Sequence, residues 1–261
     1  MQTDSLTNNS PMFSQSSFLV IGAAGGIGSA LCRDLIGRGS RVLLCGRDES
    51  KLATLAAELA QPHHAVDATS FEQVDAAFDA AIAAFGKLDG VVNLAGSIML
   101  KAAHQTTQAD LDQVLKLNLV SAFACVRAAG RTMRSNGPNA ASVVLMSSTA
   151  ARIGLPNHEA IAAAKAGVIG LIQSAAATYA GAIRFNTVAP GLTRTPMAKP
   201  LLSSELAEKA SVAMHPAGRV GEIGDVVPAI VWLLDPANTW MTGQVVGVDG
   251  GLSTVRPRTK V

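Results

Sequence analysis

Residues Phe18–Ile21 are apolar at every position and run straight into Gly22-Ala-Ala-Gly25-Gly26-Ile27-Gly28. A strand whose successive residues are all apolar is covered on both faces, the condition of a parallel sheet. Beyond the glycines, Ile27, Ala30, Leu31 and Leu35 recur at helical spacing, and Gly39 follows as a stop. A strand, a glycine-rich turn and a helix in that order open a βαβ unit.

The same alternation continues along the chain. Strands are expected at Phe18–Ile21, Arg41–Cys45, His64–Val66, Gly90–Asn93, Ser142–Met146, Ile183–Val188 and Gln244–Val248, with helices near 27–38, 48–60, 71–85, 108–135, 158–180 and 223–234. This pattern predicts an α/β fold: a single-domain, Rossmann-type, doubly wound parallel sheet flanked by helices, over residues 17–253. Residues 1–16, rich in Ser, Asn, Gln and Thr, read as a flexible N-terminal extension, and 254–261 as a basic C-terminal tail. The Pro-rich stretch at about 192–218 is the least regular and reads as a lid.

Of the 261 residues, 49% are hydrophobic and 15% charged, enough to bury a core and too little charge for disorder. A net charge of +2 excludes an electrostatic nucleic-acid footprint. No run of about 18 apolar residues points to a membrane span. The odd number of cysteines, Cys32, Cys45 and Cys125, all in apolar segments, suggests buried thiols in a reducing, cytoplasmic setting. No His, Cys, Asp or Glu spacing points to a metal.

Glycines at the first turn let the backbone approach a pyrophosphate, whose charge then rests on the helix N-terminus, so Gly22, Gly26, Ile27 and Gly28 are read as a dinucleotide cradle. Ligands of such sheets collect at the carboxyl ends of strands. Asp67, after the third strand, is placed to accept from an adenine amino group, and Asn93, Ala95 and Gly96 put small residues beside the cofactor. The second strand ends in Gly46-Arg47 with no carboxylate before Asp48. An arginine there pairs with a 2′-phosphate, which favours NADP and leaves NAD open.

These segments, with Ser147-Ser148, Lys165, Asn186-Thr-Val-Ala-Pro190-Gly191 and Thr242-Gly-Gln-Val-Val-Gly-Val-Asp249-Gly-Gly251, resemble the short-chain dehydrogenase/reductase family, and the 3-oxoacyl carrier-protein reductases within it. The resemblance implies that Ser148 hydrogen-bonds a substrate oxygen, that Asn118 assists, and that Lys165 binds the nicotinamide ribose and acidifies a tyrosine. It also places Pro190, Gly191, Thr193 and Thr195 beside the nicotinamide, and implies a homotetramer. The tyrosine belongs four residues before Lys165 and thirteen after Ser148, and both counts land on Ile161. A second departure is Ile21, where the family usually has threonine.

Isoleucine donates no proton. The sole tyrosine, Tyr179, lies fourteen residues beyond Lys165, some 20 Å along a helix. His158, three residues before Ile161 and seven before Lys165, shares their face if the helix already runs there, and histidine is a natural acid near neutral pH. The bland alternative makes His158 a polar helix start; Glu159 is a further candidate donor. Met197, Leu201, Leu202 and Met214 would give the lid an apolar lining suited to a hydrophobic or acyl substrate. Two functions follow from this pattern. One is an NADP-dependent oxidoreductase acting on a carbonyl or conjugated enoyl group with an atypical acid. The other is a non-catalytic NADP-binding sensor or structural subunit of a mixed oligomer.

Overall fold

The computed structural model describes residues 13–138 and 140–256. Strands β1 (Ser17–Ile21), β2 (Arg41–Gly46), β3 (His63–Ala65), β4 (Gly90–Asn93), β5 (Ala141–Met146), β6 (Ile183–Pro190) and β7 (Val245–Val248) form one sheet in the order β3-β2-β1-β4-β5-β6-β7. Every neighbouring pair is parallel. The chain winds outward from β1 in both directions, so the loops after β1 and β4 part and leave a crevice between them.

Alternation along the strands sorts the core into two layers. Leu19, Ile21, Val91, Val143 and Phe185 face α3 (Phe71–Phe85), α5 (Ser121–Thr132) and α6 (Glu159–Thr178). Phe18, Val20, Val42, Leu44, Val144 and Val188 face α1 (Gly26–Gly37), α2 (Glu49–Leu59) and α8 (Ile223–Leu234). All three cysteines are buried, and burial pushes the Cys32 and Cys125 thiols up to about 12.

Four expectations are corrected. Residues 13–16 are not part of a loose extension: Phe13 is fully buried, packs edge-on against Phe18, and donates its amide to the Arg38 carbonyl. Residues 1–12 and 257–261, including most of the expected tail, lie outside the described residues. The helix expected at 108–135 is two helices, α4 (Gln108–Leu115) and α5, joined by a π turn at Lys116–Val120. One helix, α6, is long and apolar enough by length and composition to cross a membrane, yet Val168, Ile172, Ala175 and Ala176 bury it in the core. Finally, residues 192–218 are not irregular throughout: they hold a 3₁₀ segment, Pro196–Leu202, and α7 (Glu205–Met214).

One buried cation anchors the sheet to α8. Arg184 on β6 is 2% exposed and donates to the carbonyls of Leu233 and Asp235 at 2.9 and 3.1 Å, closing the C-terminus of that helix. Ser142 of β5 donates to the same Leu233 carbonyl at 2.8 Å. A guanidinium suits a helix C-terminus because the last carbonyls have no intrahelical donors. Arg184→Met is expected to lower the unfolding free energy by about 2 kcal/mol, seen as a lower urea midpoint with unchanged slope.

Candidate active site

The first turn is held by β2. The amides of Gly22 and Ala23 both donate to the Cys45 carbonyl, at 2.8 and 2.9 Å, and Gly22 adopts φ +88°, a conformation open to glycine at little cost. A Cβ on Gly28 would stand 2.1 Å from the Gly22 carbonyl oxygen, so no other residue fits there. Helix α1 starts from Gly25 with no side-chain cap and no acidic residue in its first turn. Its leading amides therefore face the crevice without an internal anion, a fit for a pyrophosphate. Ile27 packs into the core beneath the turn. The segment after β6 reaches over it: a Cβ on Gly26 would lie 2.9 Å from Pro196 Cδ and 3.6 Å from Thr195 Cβ.

At the other end of the crevice, Arg47 is exposed just after β2. Asp67 accepts from the amide and hydroxyl of Thr69 at 2.9 and 2.8 Å. Those hydrogen bonds, with smaller contributions from Lys116 and Arg47, hold its carboxyl below the usual range. Lys116 had no signal in the sequence; the fold alone brings its charge close enough to act on Asp67.

Asn93 at the end of β4 donates to the Ser121 carbonyl at 3.0 Å and accepts the Ala95 amide at 2.9 Å, which fixes the Ala95-Gly96 loop. Asn118 sits in the π turn, donates to the Val114 carbonyl and to Ser97 Oγ at 2.9 and 3.0 Å, and accepts the Ser97 amide at 3.2 Å. Lys165 on α6 donates from Nζ to the Met146 carbonyl at 3.0 Å, while its own carbonyl accepts from Ser147 Oγ at 2.9 Å. A Cβ on Gly96 would lie 2.8 Å from Asn118 Oδ1 and 3.4 Å from Lys165 Nζ. Gly96, Asn118 and Lys165 thus meet at one point, and Ser148 follows two residues after Met146. Ser148 Oγ accepts the Ala150 amide at 3.1 Å and starts a 3₁₀ turn. Burial pushes the Lys165 ammonium down to about 8.

Ile161 is 5% exposed and packs with Val114, Ala160 and Ala164, against Met99, Leu111 and Leu115. It closes the gap between α4 and α6. His158 is the N-cap of α6, with φ −107° and ψ 9°, and its Nδ1 lies 2.7 Å from the Pro156 carbonyl. The helix starts at Glu159, so His158 stands at its cap rather than within its first turn. Among the described residues His158 makes no hydrogen bond to Ser148, Asn118 or Lys165. Tyr179 caps the far end of α6 against Phe185.

Pro190 ends β6 and Gly191 follows; Thr193 donates to the Gly191 carbonyl at 3.2 Å, and Thr195 Oγ1 accepts the Ala198 amide at 3.2 Å, capping the lid's first turn. Arg194 ties α7 to the start of α8 through Glu208 and Glu222. A cavity of about 420 Å³ beyond Gly191 is lined by His215, Arg219 and Asp249 and by none of Ser148, Asn118 and Lys165.

Residues 22–253 match the family described as Enoyl-(Acyl carrier protein) reductase. The chain is 36% identical to cis-4-hydroxycyclohexanecarboxylate dehydrogenase of Sinomonas cyclohexanicum, covering 93% of this chain and 98% of that one. It is 32% identical to the 3-oxoacyl-[acyl-carrier-protein] reductase FabG of Thermotoga maritima, covering 90% and 96%. A solved short-chain type dehydrogenase/reductase from Mycobacterium ulcerans superposes with a TM-score of 0.88 at 30% identity, covering 92% of this chain and 90% of that one.

Gly28→Ala sets a methyl group into the Gly22 carbonyl. It is expected to abolish dinucleotide binding in a fluorescence titration and to lower thermal stability. Full binding by a folded variant would contradict this account of the turn.

Proposed function

This chain belongs to the short-chain dehydrogenase/reductase family, and from that premise we propose that it is an NADP(H)-dependent oxidoreductase acting on a carbonyl or conjugated enoyl substrate. The observation that carries the reading is the convergence of Gly96, Asn118 and Lys165 at the carboxyl ends of β4 and β5, where Lys165 holds the Met146 carbonyl two residues before Ser148. When bound, the nicotinamide supplies or takes up the hydride. Gly22, Gly26, Ile27 and Gly28 hold the pyrophosphate, Asp67 the adenine, and Arg47, helped by Lys116, the 2′-phosphate. Asn93, Ala95, Gly96, Pro190, Gly191, Thr193 and Thr195 border the nicotinamide half.

Ser148 Oγ already accepts an amide, and its own proton has no acceptor among the described residues. That proton is directed to the substrate oxygen, where it stabilises developing negative charge. Asn118 keeps Ser97 and the loop after β4 in place. Ile161 makes the site floor apolar, and Met197, 50% exposed on the lid, extends the apolar surface toward a hydrophobic or acyl substrate. Two groups compete to supply the proton, His158 and Glu159, while Lys165 holds the nicotinamide ribose. A purely binding role, as sensor or structural subunit, has the loss of a phenol at Ile161 in its favour; the built Ser148–Lys165 cluster weighs against it.

The high-pKa buried thiols suit a reducing cytoplasm. Exposed Phe71 and Phe123, stacked at 5.9 Å, and exposed Trp232 and Trp240 offer two apolar surfaces for a homotetramer.

Arg47→Ala is expected to weaken NADPH binding about tenfold while leaving NADH within about twofold, because one charge-assisted hydrogen bond is lost. Ser148→Ala is expected to lower kcat for NADPH-dependent reduction of 9,10-phenanthrenequinone by about 10²-fold with unchanged NADPH affinity. A wild type that binds NADPH yet turns over neither a carbonyl nor a conjugated enoyl substrate would favour the binding-module alternative.

A further inference from the structure

Thr149, directly after Ser148, is buried and donates from Oγ1 to Asp249 Oδ2 at 3.0 Å, across 100 residues of chain. Asp249 follows the last residue of β7 and is buried as well. Its carboxylate also accepts the Gly251 amide on Oδ1 at 3.0 Å, and the Ser253 amide and hydroxyl on Oδ2 at 3.0 and 2.5 Å. An ionised carboxylate only accepts, so it fixes the direction of the Thr149 hydroxyl proton. Burial raises the Asp249 pKa, yet the hydrogen bonds from Ser253, Thr149 and Gly251 outweigh it and hold the carboxyl below its usual range.

The two flanks of Ser148 are held differently. On the N-terminal side, the Ser147 amide donates to the Val188 carbonyl at 2.8 Å and Ser147 Oγ to the Lys165 carbonyl at 2.9 Å, which ties that flank to β6 and α6. On the C-terminal side, the 3₁₀ turn Thr149–Ala151 is closed locally. The Ala151 amide donates to the Ser148 carbonyl at 3.0 Å and the Arg152 amide to the Thr149 carbonyl at 2.8 Å. Among the described residues, the hydrogen bond to Asp249 is the one that ties this turn to another element. The turn after β7 is itself anchored: the Val248 carbonyl accepts the Gly191 amide at 3.0 Å, and the Gly250 carbonyl accepts the Ala217 amide at 2.9 Å.

We propose that Thr149 and Asp249 are positioning residues for Ser148: their hydrogen bond sets the 3₁₀ turn so that the Ser148 hydroxyl stays directed at the substrate oxygen. The proposal rests on the oxidoreductase reading above. Ser148 Oγ accepts the Ala150 amide at 3.1 Å, so a shift of the turn moves this hydroxyl with it. A donor stabilises developing charge only when it is already set toward the place where the charge forms. Misplacing it slows the reaction without removing any catalytic group. Replacing Asp249 would also release Gly251 and Ser253. Replacing Thr149 removes one hydroxyl and leaves the other donors to the carboxylate in place, so Thr149 is the cleaner probe.

The test is a double-mutant cycle on the full chain. Thr149→Val is expected to lower kcat for NADPH-dependent reduction of 9,10-phenanthrenequinone about tenfold, with NADPH affinity unchanged. A conjugated enoyl thioester takes the place of the quinone if the wild type does not reduce the quinone. In the Ser148→Ala background the same change is expected to cost less than about twofold, because the hydroxyl it positions is gone. Thr149→Ser, which restores the donor, is expected to recover most of the loss. Thr149→Ala is read in the same way if the valine variant does not fold. Undiminished kcat without the Thr149 hydroxyl, an equal loss in both backgrounds, a loss that Thr149→Ser does not recover, or weakened NADPH binding overturns the proposal while the oxidoreductase reading stands. A wild type that binds NADPH and reduces neither substrate overturns both.

Discussion

Strand β1 pairs with β2 on one side and β4 on the other, and the whole site depends on that placement. Because β1 lies between them, the Cys45 carbonyl at the end of β2 is in position to accept the amides of Gly22 and Ala23. That pair of hydrogen bonds turns the chain away from the sheet and starts α1 with its amides toward the crevice. On the other side, β4 delivers Asn93, Ala95 and Gly96 to the same crevice. The Leu94 amide donates to the Ile21 carbonyl at 2.9 Å and keeps the two loops in register.

The chemical half of the site is built by a second device, the π turn between α4 and α5. One extra residue in a helical turn rotates the side chains that follow. In this chain the turn brings Asn118 to the Ser97 loop and Gly96, beside Lys165. The lysine then ties α6 to the end of β5. A buried amine held by a carbonyl, rather than by a carboxylate, keeps its hydrogens available but carries the full desolvation cost of its charge. Ile161, one turn before it on α6, packs instead into the apolar cluster between α4 and α6.

Much of this was legible in the chain. The α/β pattern and the two-sided burial follow from consecutive apolar residues at Phe18–Ile21 and Val143–Met146, and the bounds of α3 and α8 match their caps and periodicity. Ser148, Lys165 and the gap at Ile161 came from the family resemblance, whose motif lands on those positions. What periodicity missed has a common cause. A π turn inside an amphipathic run barely disturbs the hydrophobic pattern, so 108–135 reads as one helix. The N-cap at His158 depends on whether Asn157, at φ +62°, turns the chain before the helix begins. Phe13 looks like part of a polar extension until Phe18 gives it a partner. Arg184 and Lys116 carry no local sign of their partners, which lie on other elements.

The sequence by itself determined the α/β class, the glycine turn where only Gly28 fits, and the absence of a phenol four residues before Lys165. These are local properties, decided by steric limits, side-chain periodicity and residue identity. Tertiary structure alone decided which groups meet. It placed the charges of Lys116 and Arg47 near Asp67, tied the His158 ring to the Pro156 carbonyl, and enclosed Lys165 with no carboxylate partner among the described residues. Electrostatics and desolvation depend on what surrounds a group in space, so the acidity of that amine was fixed only when α6 packed against the end of β5.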